Sequence, residues 1–237
     1  MGCAAVKLIL EQVRETRGDW QFSADATFLP GIHLVTGRVG SGKSTLAGIA
    51  AGMLSPGSGR VLREGISSGT LSLQYPEYHV TGATLAKEAA SYGVSPEEAL
   101  ENAGLSGRGE DDPFILSRGE LKRFHLSCLS LRRWDLLVLD EPFSALDCRG
   151  KKRECERIPA LSPGIVLVCT HEQQHLPRTD FLWEMRDGNL HALGKVPDAL
   201  PFWQTAPKTV RTLVSQGCVP ANLTDRDLEE ALCRMRD

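Results

Sequence analysis

Residues 37–45 read Gly-Arg-Val-Gly-Ser-Gly-Lys-Ser-Thr and fit the phosphate-cradling pattern G-x-x-x-x-G-K-S/T. Adjacent phosphates carry several negative charges and need many donors held close together. Gly37, Gly40 and Gly42 let the backbone bend and approach without a Cβ in the way. The loop amides, those of Arg38, Val39 and Ser41 among them, then face the phosphates. The start of the following helix adds about half a positive charge. Lys43 is expected to reach the β- and γ-phosphates, and Ser44 to ligate Mg²⁺. These residues predict a nucleoside triphosphate site. A second group, Asp140-Glu141, closes the apolar run 136–139. One acid there can hold Mg²⁺ through water, and its neighbour can orient and deprotonate an attacking water. Alone, such a pair is more often a solvated turn; about a hundred residues after a phosphate loop the balance reverses.

Those residues need elements to position them. Residues 32–36 are a short apolar strand pattern before the loop, and 45–51 begin a helix after it. Residues 4–13 read as an opening strand. Trp20 and Phe22 alternate with polar neighbours at strand period, so both can face a core. Residues 57–63 and 69–74 predict a small hairpin, with Gln74 ending its second strand. Helix is predicted within 84–104, with caps at Thr84 and Ser95 and Pro96 at the first helical position. A longer helix is expected from Ser117 to about Arg132. Residues 165–169 are another buried strand, ending in Thr170-His171. Strands alternating with helices predict a mainly parallel sheet with polar residues gathered at strand C-termini, where ligands bind.

The chain has 237 residues, a formal net charge of −3 and a pI near 6.1. Its length suits one large α/β domain with a small appendage, and no basic surface advertises nucleic acid. Seven cysteines, at positions 3, 128, 148, 155, 169, 218 and 233, include no C-x-x-C pair and read as reduced thiols of a cytosolic protein. No apolar run approaches the ~20 residues that span a bilayer, and the opening residues lack a secretion pattern. Gly2 follows Met1, but Val6 stands where a myristoylation signal has Ser or Thr. Any work at a membrane is therefore expected of a peripheral subunit. His33, His79, His125 and His175 show no ligand spacing, and residues 151–153 read as a solvated helix face.

Together these motifs resemble the ATP-binding-cassette (ABC) ATPases over residues 5–194. Residues 116–120 (Leu-Ser-Arg-Gly-Glu) are similar to that family's signature loop, 136–142 to its Walker B segment, and 144–147 (Ser-Ala-Leu-Asp) to its D-loop. Gln74 and His171 stand where the Q-loop glutamine and the switch histidine belong. The resemblance implies an α/β fold of the P-loop NTPase kind. Its parts are a RecA-like core with a mainly parallel sheet, a small antiparallel β-subdomain and a helical signature subdomain. These would occupy residues 1–194, with 195–237 a helical extension that caps the domain or contacts a second subunit. It also implies ATP and Mg²⁺ as cofactors. Lys43 and the loop amides would hold the β- and γ-phosphates, Thr45 the α-phosphate, and Ser44, Gln74 and Asp140 the metal. Glu141 would be the general base, and His171 would sense the γ-phosphate. Ser117, Gly119 and Glu120 would serve a nucleotide on a second ABC ATPase subunit, the same chain or a related one, with Asp147 coupling the two.

A finer resemblance, to the ATP-binding subunits of energy-coupling-factor (ECF) importers of vitamins and metal ions, rests on Gln74-Tyr-Pro-Glu77, on residues 84–88 and 113–123, and on the tail from Ala206. It implies integral-membrane transporter subunits as partners, one of which places a helix near Gln74, and a peripheral position on the cytoplasmic face of the cell membrane. Three departures stand out. Arg118 replaces the first signature glycine. The adenine-stacking aromatic aligns at Arg17, with Trp20 and Phe22 as alternatives. Only 31 positions separate Lys43 from Gln74, so the β-subdomain is expected to be trimmed. Two other readings remain: a soluble, non-transport ABC ATPase such as one in cofactor assembly, and a weakly hydrolysing half of an asymmetric pair.

Overall fold

The computed structural model describes residues 6–161 and 164–235. Gly2, Cys3 and the first two residues of the expected opening strand, Ala4 and Ala5, lie outside them. In chain order the elements are β1 (Lys7–Arg17), β2 (Trp20–Phe28), β3 (Gly31–Thr36), α1 (Lys43–Ala51), β4 (Ser58–Glu64) and β5 (Gly69–Ser72). Then come α2 (Leu85–Ser91), α3 (Pro96–Ala103), α4 (Arg118–Ser130), β6 (Leu136–Asp140), α5 (Cys148–Arg157) and β7 (Ile165–Thr170). β8 (Phe181–Arg186), β9 (Asn189–Lys195), α6 (Lys208–Ser215) and α7 (Asp225–Arg234) complete the chain.

Parallel pairing joins β5 to β6, β6 to β7, β7 to β3 and β3 to β8. β6 and β7 are buried at every position, as strands covered on both faces must be. β1 and β2 instead form a long antiparallel pair, with Leu8, Leu10 and Val13 packed beside Phe22, Ala24 and Phe28. β8 and β9 form a hairpin that the sequence reading did not describe. It turns at Asp187-Gly188, both at positive φ (46° and 77°), as a two-residue hairpin turn requires.

All nine strands belong to one sheet, in the order β4-β1-β2-β9-β8-β3-β7-β6-β5. The expected hairpin of 57–63 with 69–74 is not formed. β4 pairs antiparallel with β1 and β5 parallel with β6, at opposite edges of the sheet. Burial decides this: β5 encloses Leu71 and Ser72 beside the apolar β6, whereas β4 is an exposed edge. β5 also stops at Ser72, two residues short of Gln74. Only residues 65–68 link the two edges, and such a link reaches at most about 18 Å. Nine flat strands would span roughly 38 Å. The sheet therefore curls, and α1 lies within the curl. Leu46, Ala47, Ile49 and Ala50 of α1 share one apolar cluster with Leu8 and Leu10 of β1, next to one edge, and with Leu71 and Val138 of β5 and β6 at the other.

The helices α2, α3 and α4 form a second unit. Thr84 and Ser95 cap α2 and α3 through backbone amides three residues on. Ser117 and Glu120 form a reciprocal capping box that starts α4. Leu85, Leu100, Leu121 and Phe124 make this unit's own cluster. The C-terminal segment carries α6 and α7 and is built into the main core. Trp203, Val210 and Leu223 are buried with Leu34, Leu139 and Val168, and Trp203 Nε1 donates to Thr36 Oγ1 at 2.8 Å. Among the described residues no helix is long and apolar enough to cross a membrane.

Candidate nucleotide site

The end of β3 releases the chain into the loop 37–42, and α1 begins at Lys43. Gly42 caps that helix at φ 110°, where a side chain would be strained and its Cβ would fall 2.9 Å from Trp20 Cζ2. The loop thus lies against the Trp20 ring. Lys43 is buried, and its Nζ donates to the carbonyls of Gly37 (2.9 Å) and Arg38 (3.1 Å). The same ammonium stands 3.6 Å from Glu141 Oε1. Ser41 Oγ is buried without a partner, an unmet donor inside the cradle.

β6 delivers Asp140 and Glu141 beside this loop, and β7 delivers Thr170 and His171. Glu141 is buried and held at φ 48°. Its Oε1 faces His171 Nδ1 at 2.7 Å, and its Oε2 accepts from Thr170 Oγ1 (3.0 Å) and the His171 amide (3.2 Å). Burial raises the Asp140 carboxyl above its usual range, with the Ser44 hydroxyl opposing that shift. Asp140 Oδ1 is buried and has no partner. An orphaned carboxylate oxygen with the Ser44 hydroxyl beside it, and Gln74 lining the same cleft as Ser44, offer hard oxygen donors, which suit Mg²⁺. No cluster of three or more His, Cys, Asp or Glu able to hold a metal occurs among the described residues. A metal here would therefore draw the rest of its shell from phosphate and water.

A cleft of about 400 Å³ opens over the loop. Gly40, Gly42, Lys43, Ser44 and Thr45 form its floor, Gln74, Glu141 and His171 one wall, and Arg17 and Trp20 another. Arg38 and Ser41 line an adjoining cleft of about 800 Å³, which Trp20 and Val39 share. Phe22 is not available to a base: at 1% exposure it is core. Ser117, Gly119, Glu120 and Asp147 do not line either cleft. Ser117 and Glu120 satisfy each other, Oγ to Oε2 at 2.7 Å. Asp147 caps α5 by accepting from the Gly150 amide at 2.7 Å. A Cβ on Gly119 would lie 2.8 Å from the Ala145 carbonyl oxygen, so the signature and D-loop segments touch within this chain.

Three residues around Gln74 carry more than the sequence suggested. Lys122 is wholly buried, and its Nζ donates to the carbonyls of Leu73 (2.9 Å) and Gln74 (3.4 Å). Burial lowers its pKa to about 8, against the pull of Asp140, Glu141 and Glu77. His79 Nε2 accepts from the Leu73 amide at 2.7 Å, and burial, then Lys122, lowers its pKa to about 4. His79 and His125, scattered in sequence, stack with ring centroids 4.1 Å apart. The peptide of Leu73 is thus held at both its amide and its carbonyl. The available signal was a lysine among apolar residues of α4, which spacing alone cannot direct to a strand end.

The ABC transporter family profile matches residues 30–144. The thiamine import ATP-binding protein ThiQ of Cereibacter sphaeroides is 34% identical over 194 residues, covering 72% of this chain and 84% of that protein. The chain belongs to the ABC transporter ATPases. This ABC ATPase is also 32% identical over 187 residues to the energy-coupling factor transporter ATP-binding protein EcfA1 of Thermotoga maritima, covering 69% and 71%. Its fold matches that of cbiO1 from Clostridium perfringens, part of the ABC transporter complex cbiONQ, with a TM-score of 0.62 at 19% identity over 83% of this chain and 93% of that one. As an ABC ATPase the chain binds and hydrolyses ATP.

Proposed function

We propose that this ABC ATPase powers a membrane importer for a vitamin or a metal ion, as one of two ABC ATPase subunits that share composite ATP sites. The convergence of Lys43, Glu141 and His171 on the phosphate loop carries the reading. In this reading Lys43 and the loop amides bind the β- and γ-phosphates, and Thr45 the α-phosphate. Mg²⁺, held by Ser44, Gln74 and Asp140, would neutralise charge developing on the transferred phosphate. Glu141 takes a proton from the attacking water. His171 orients that carboxylate and senses the γ-phosphate, and Arg17 or Trp20 stacks on adenine. Ser117, Gly119 and Glu120, lying outside the cleft, serve the nucleotide of the second subunit, and Asp147 couples the two.

Import is supported by the printed functions of the relatives, thiamine import and energy coupling. A membrane partner is supported by Tyr75, Tyr78, Phe114 and Ile115, apolar and exposed, of which Tyr75 directly follows Gln74 and Tyr78 comes three residues later. Such a surface suits an apolar helix of an integral-membrane subunit, and in this reading the chain sits peripherally on the cytoplasmic face. A second reading, a weakly hydrolysing half of an asymmetric pair, is favoured by Arg118. Its guanidinium stands 3.3 Å from Glu77 and 5.8 Å from the Tyr75 ring centroid, placing bulk and charge at the start of α4.

The test is steady-state ATPase activity of the purified chain, with its mass in solution and its recovery from membrane and soluble fractions. Activity that rises with ATP-dependent dimer formation, with recovery on membranes, supports the motor. ATP binding by an inactive monomer points to an obligatory different subunit. Recovery only with soluble partners overturns the transport reading.

A further inference from the structure

Outside the nucleotide cleft, three side chains from distant parts of the chain meet in line. Cys148 is the first residue of α5, His175 lies in the segment between β7 and β8, and Asp225 is the first residue of α7. His175 Nε2 stands 3.1 Å from Cys148 Sγ, and its Nδ1 is 3.1 Å from both carboxylate oxygens of Asp225. The two ring nitrogens point in opposite directions, so the three groups cannot converge on one metal ion; they form a relay. Cys148 is solvent-exposed, while His175 and Asp225 are largely covered. Packing therefore does not account for the cysteine, yet its neighbours are held. Lys152 on α5 has its Nζ 3.9 Å from Asp225, and α7 is anchored by Leu223 just before it.

An imidazole at a thiol, aligned by a carboxylate on its other nitrogen, is the arrangement that activates a nucleophile. We propose that Cys148 is a reactive thiol, activated by His175 and aligned through Asp225, that hydrogen peroxide oxidises to a sulfenic acid. His175 takes the thiol proton. The sulfur lone pair attacks one peroxide oxygen, an S–O bond forms and the O–O bond breaks. The departing hydroxide recovers the proton from His175 and leaves as water. Sulfur loses two electrons and peroxide gains them. One small thiol then condenses with the sulfenic acid to a mixed disulfide, releasing water, and a second displaces Cys148 as the free thiol, the two leaving as their disulfide. The modification would sit one residue from Asp147, the cap of α5, so the D-loop end of the molecule carries an oxidant-sensitive position.

The test is treatment of the purified full-length chain with limiting hydrogen peroxide, trapping of sulfenic acid with a 1,3-diketone, and peptide mass spectrometry. Cys233, another exposed cysteine, is the internal reference. Cys148 is expected to label on the order of tenfold faster than Cys233. His175→Ala should bring it to the reference rate, with free imidazole restoring part of the difference. Asp225→Asn should lower the rate and Asp225→Glu recover it. Equal labelling of Cys148 and Cys233 in the parent overturns the proposal, whatever the variants do. So does a His175→Ala chain that folds normally and labels Cys148 as fast as the parent.

Discussion

His171 holds both oxygens of Glu141: its Nδ1 lies 2.7 Å from Oε1, and its backbone amide donates to Oε2 at 3.2 Å. With Thr170 Oγ1 also donating to Oε2, the end of β7 sets the direction of a carboxylate whose own backbone sits at φ 48°. Glu141→Gln keeps the shape but removes the proton acceptor. ATP binding is expected to persist while phosphate release at saturating ATP falls by roughly 100-fold or more. Hydrolysis close to the parental rate would remove Glu141 as the base.

Arg118 has a side chain that is 69% exposed, so its pairing with Glu77 is screened and adds little stability. Arg118→Gly is therefore expected to leave the fold intact and act on hydrolysis. If the arginine detunes the composite site, ATPase activity of the concentrated chain rises in the variant. An unchanged rate at every protein concentration would show that its bulk does not matter there.

Gly119 meets a backbone oxygen rather than a flexible side chain, with only 2.8 Å between an added Cβ and the Ala145 carbonyl. Gly119→Ala must push the 144–147 segment away from α4. A loss of about 1–3 kcal/mol is expected in urea unfolding, and no loss would show that the contact relaxes freely.

Lys122 titrates near 8 instead of the ordinary 10.5, so between those values the unfolded chain binds more protons than the folded one. The stability contributed at this residue therefore rises with pH across that window. Compared with Lys122→Met, the parent should gain on the order of 1–3 kcal/mol between pH 7.5 and pH 10. Equal pH dependence of the two in denaturant titrations would contradict the buried ammonium.

The opposite limb belongs to His33 and His79, both brought from 6.5 to about 4, chiefly by burial. His33 is held neutral between Trp183 Nε1, which donates to its Nδ1, and the Leu29 carbonyl at its Nε2. Stability from these groups is complete above pH 6.5 and is lost as pH falls toward 4. His79→Gln keeps an acceptor for the Leu73 amide without titrating. Its Tm should fall less steeply than the parent's between pH 6.5 and pH 4, and parallel curves would dismiss His79 as a contributor.

The parts of the site legible in sequence were those whose chemistry is local. The loop 37–45 needs closely spaced glycines and a helix start, and Asp140, Glu141 and His171 stand at the ends of apolar strands. Thr84, Ser95 and Ser117 announced their helices because a cap acts within three residues. The Asp187-Gly188 turn of β8 and β9 carried a readable hairpin signal that was passed over. Partners at long range were not legible. Alternation in 57–63 and 69–74 marks two strands but not their neighbours. Nothing in the spacing of Lys122, His79 and His125 says that they meet around Leu73.

The four residues that join β4 to β5 make the sheet a hoop drawn shut around α1. A helix girdled on opposite sides cannot tilt without prying the hoop open, so the phosphate loop behaves as an anvil. The α2–α4 unit has its own apolar interior, shares the main core through Leu126 and Leu129 of α4, and grips the strand end at Leu73 and Gln74 through Lys122. Any displacement of that strand end must therefore carry α4 with it or break the two bonds to Lys122.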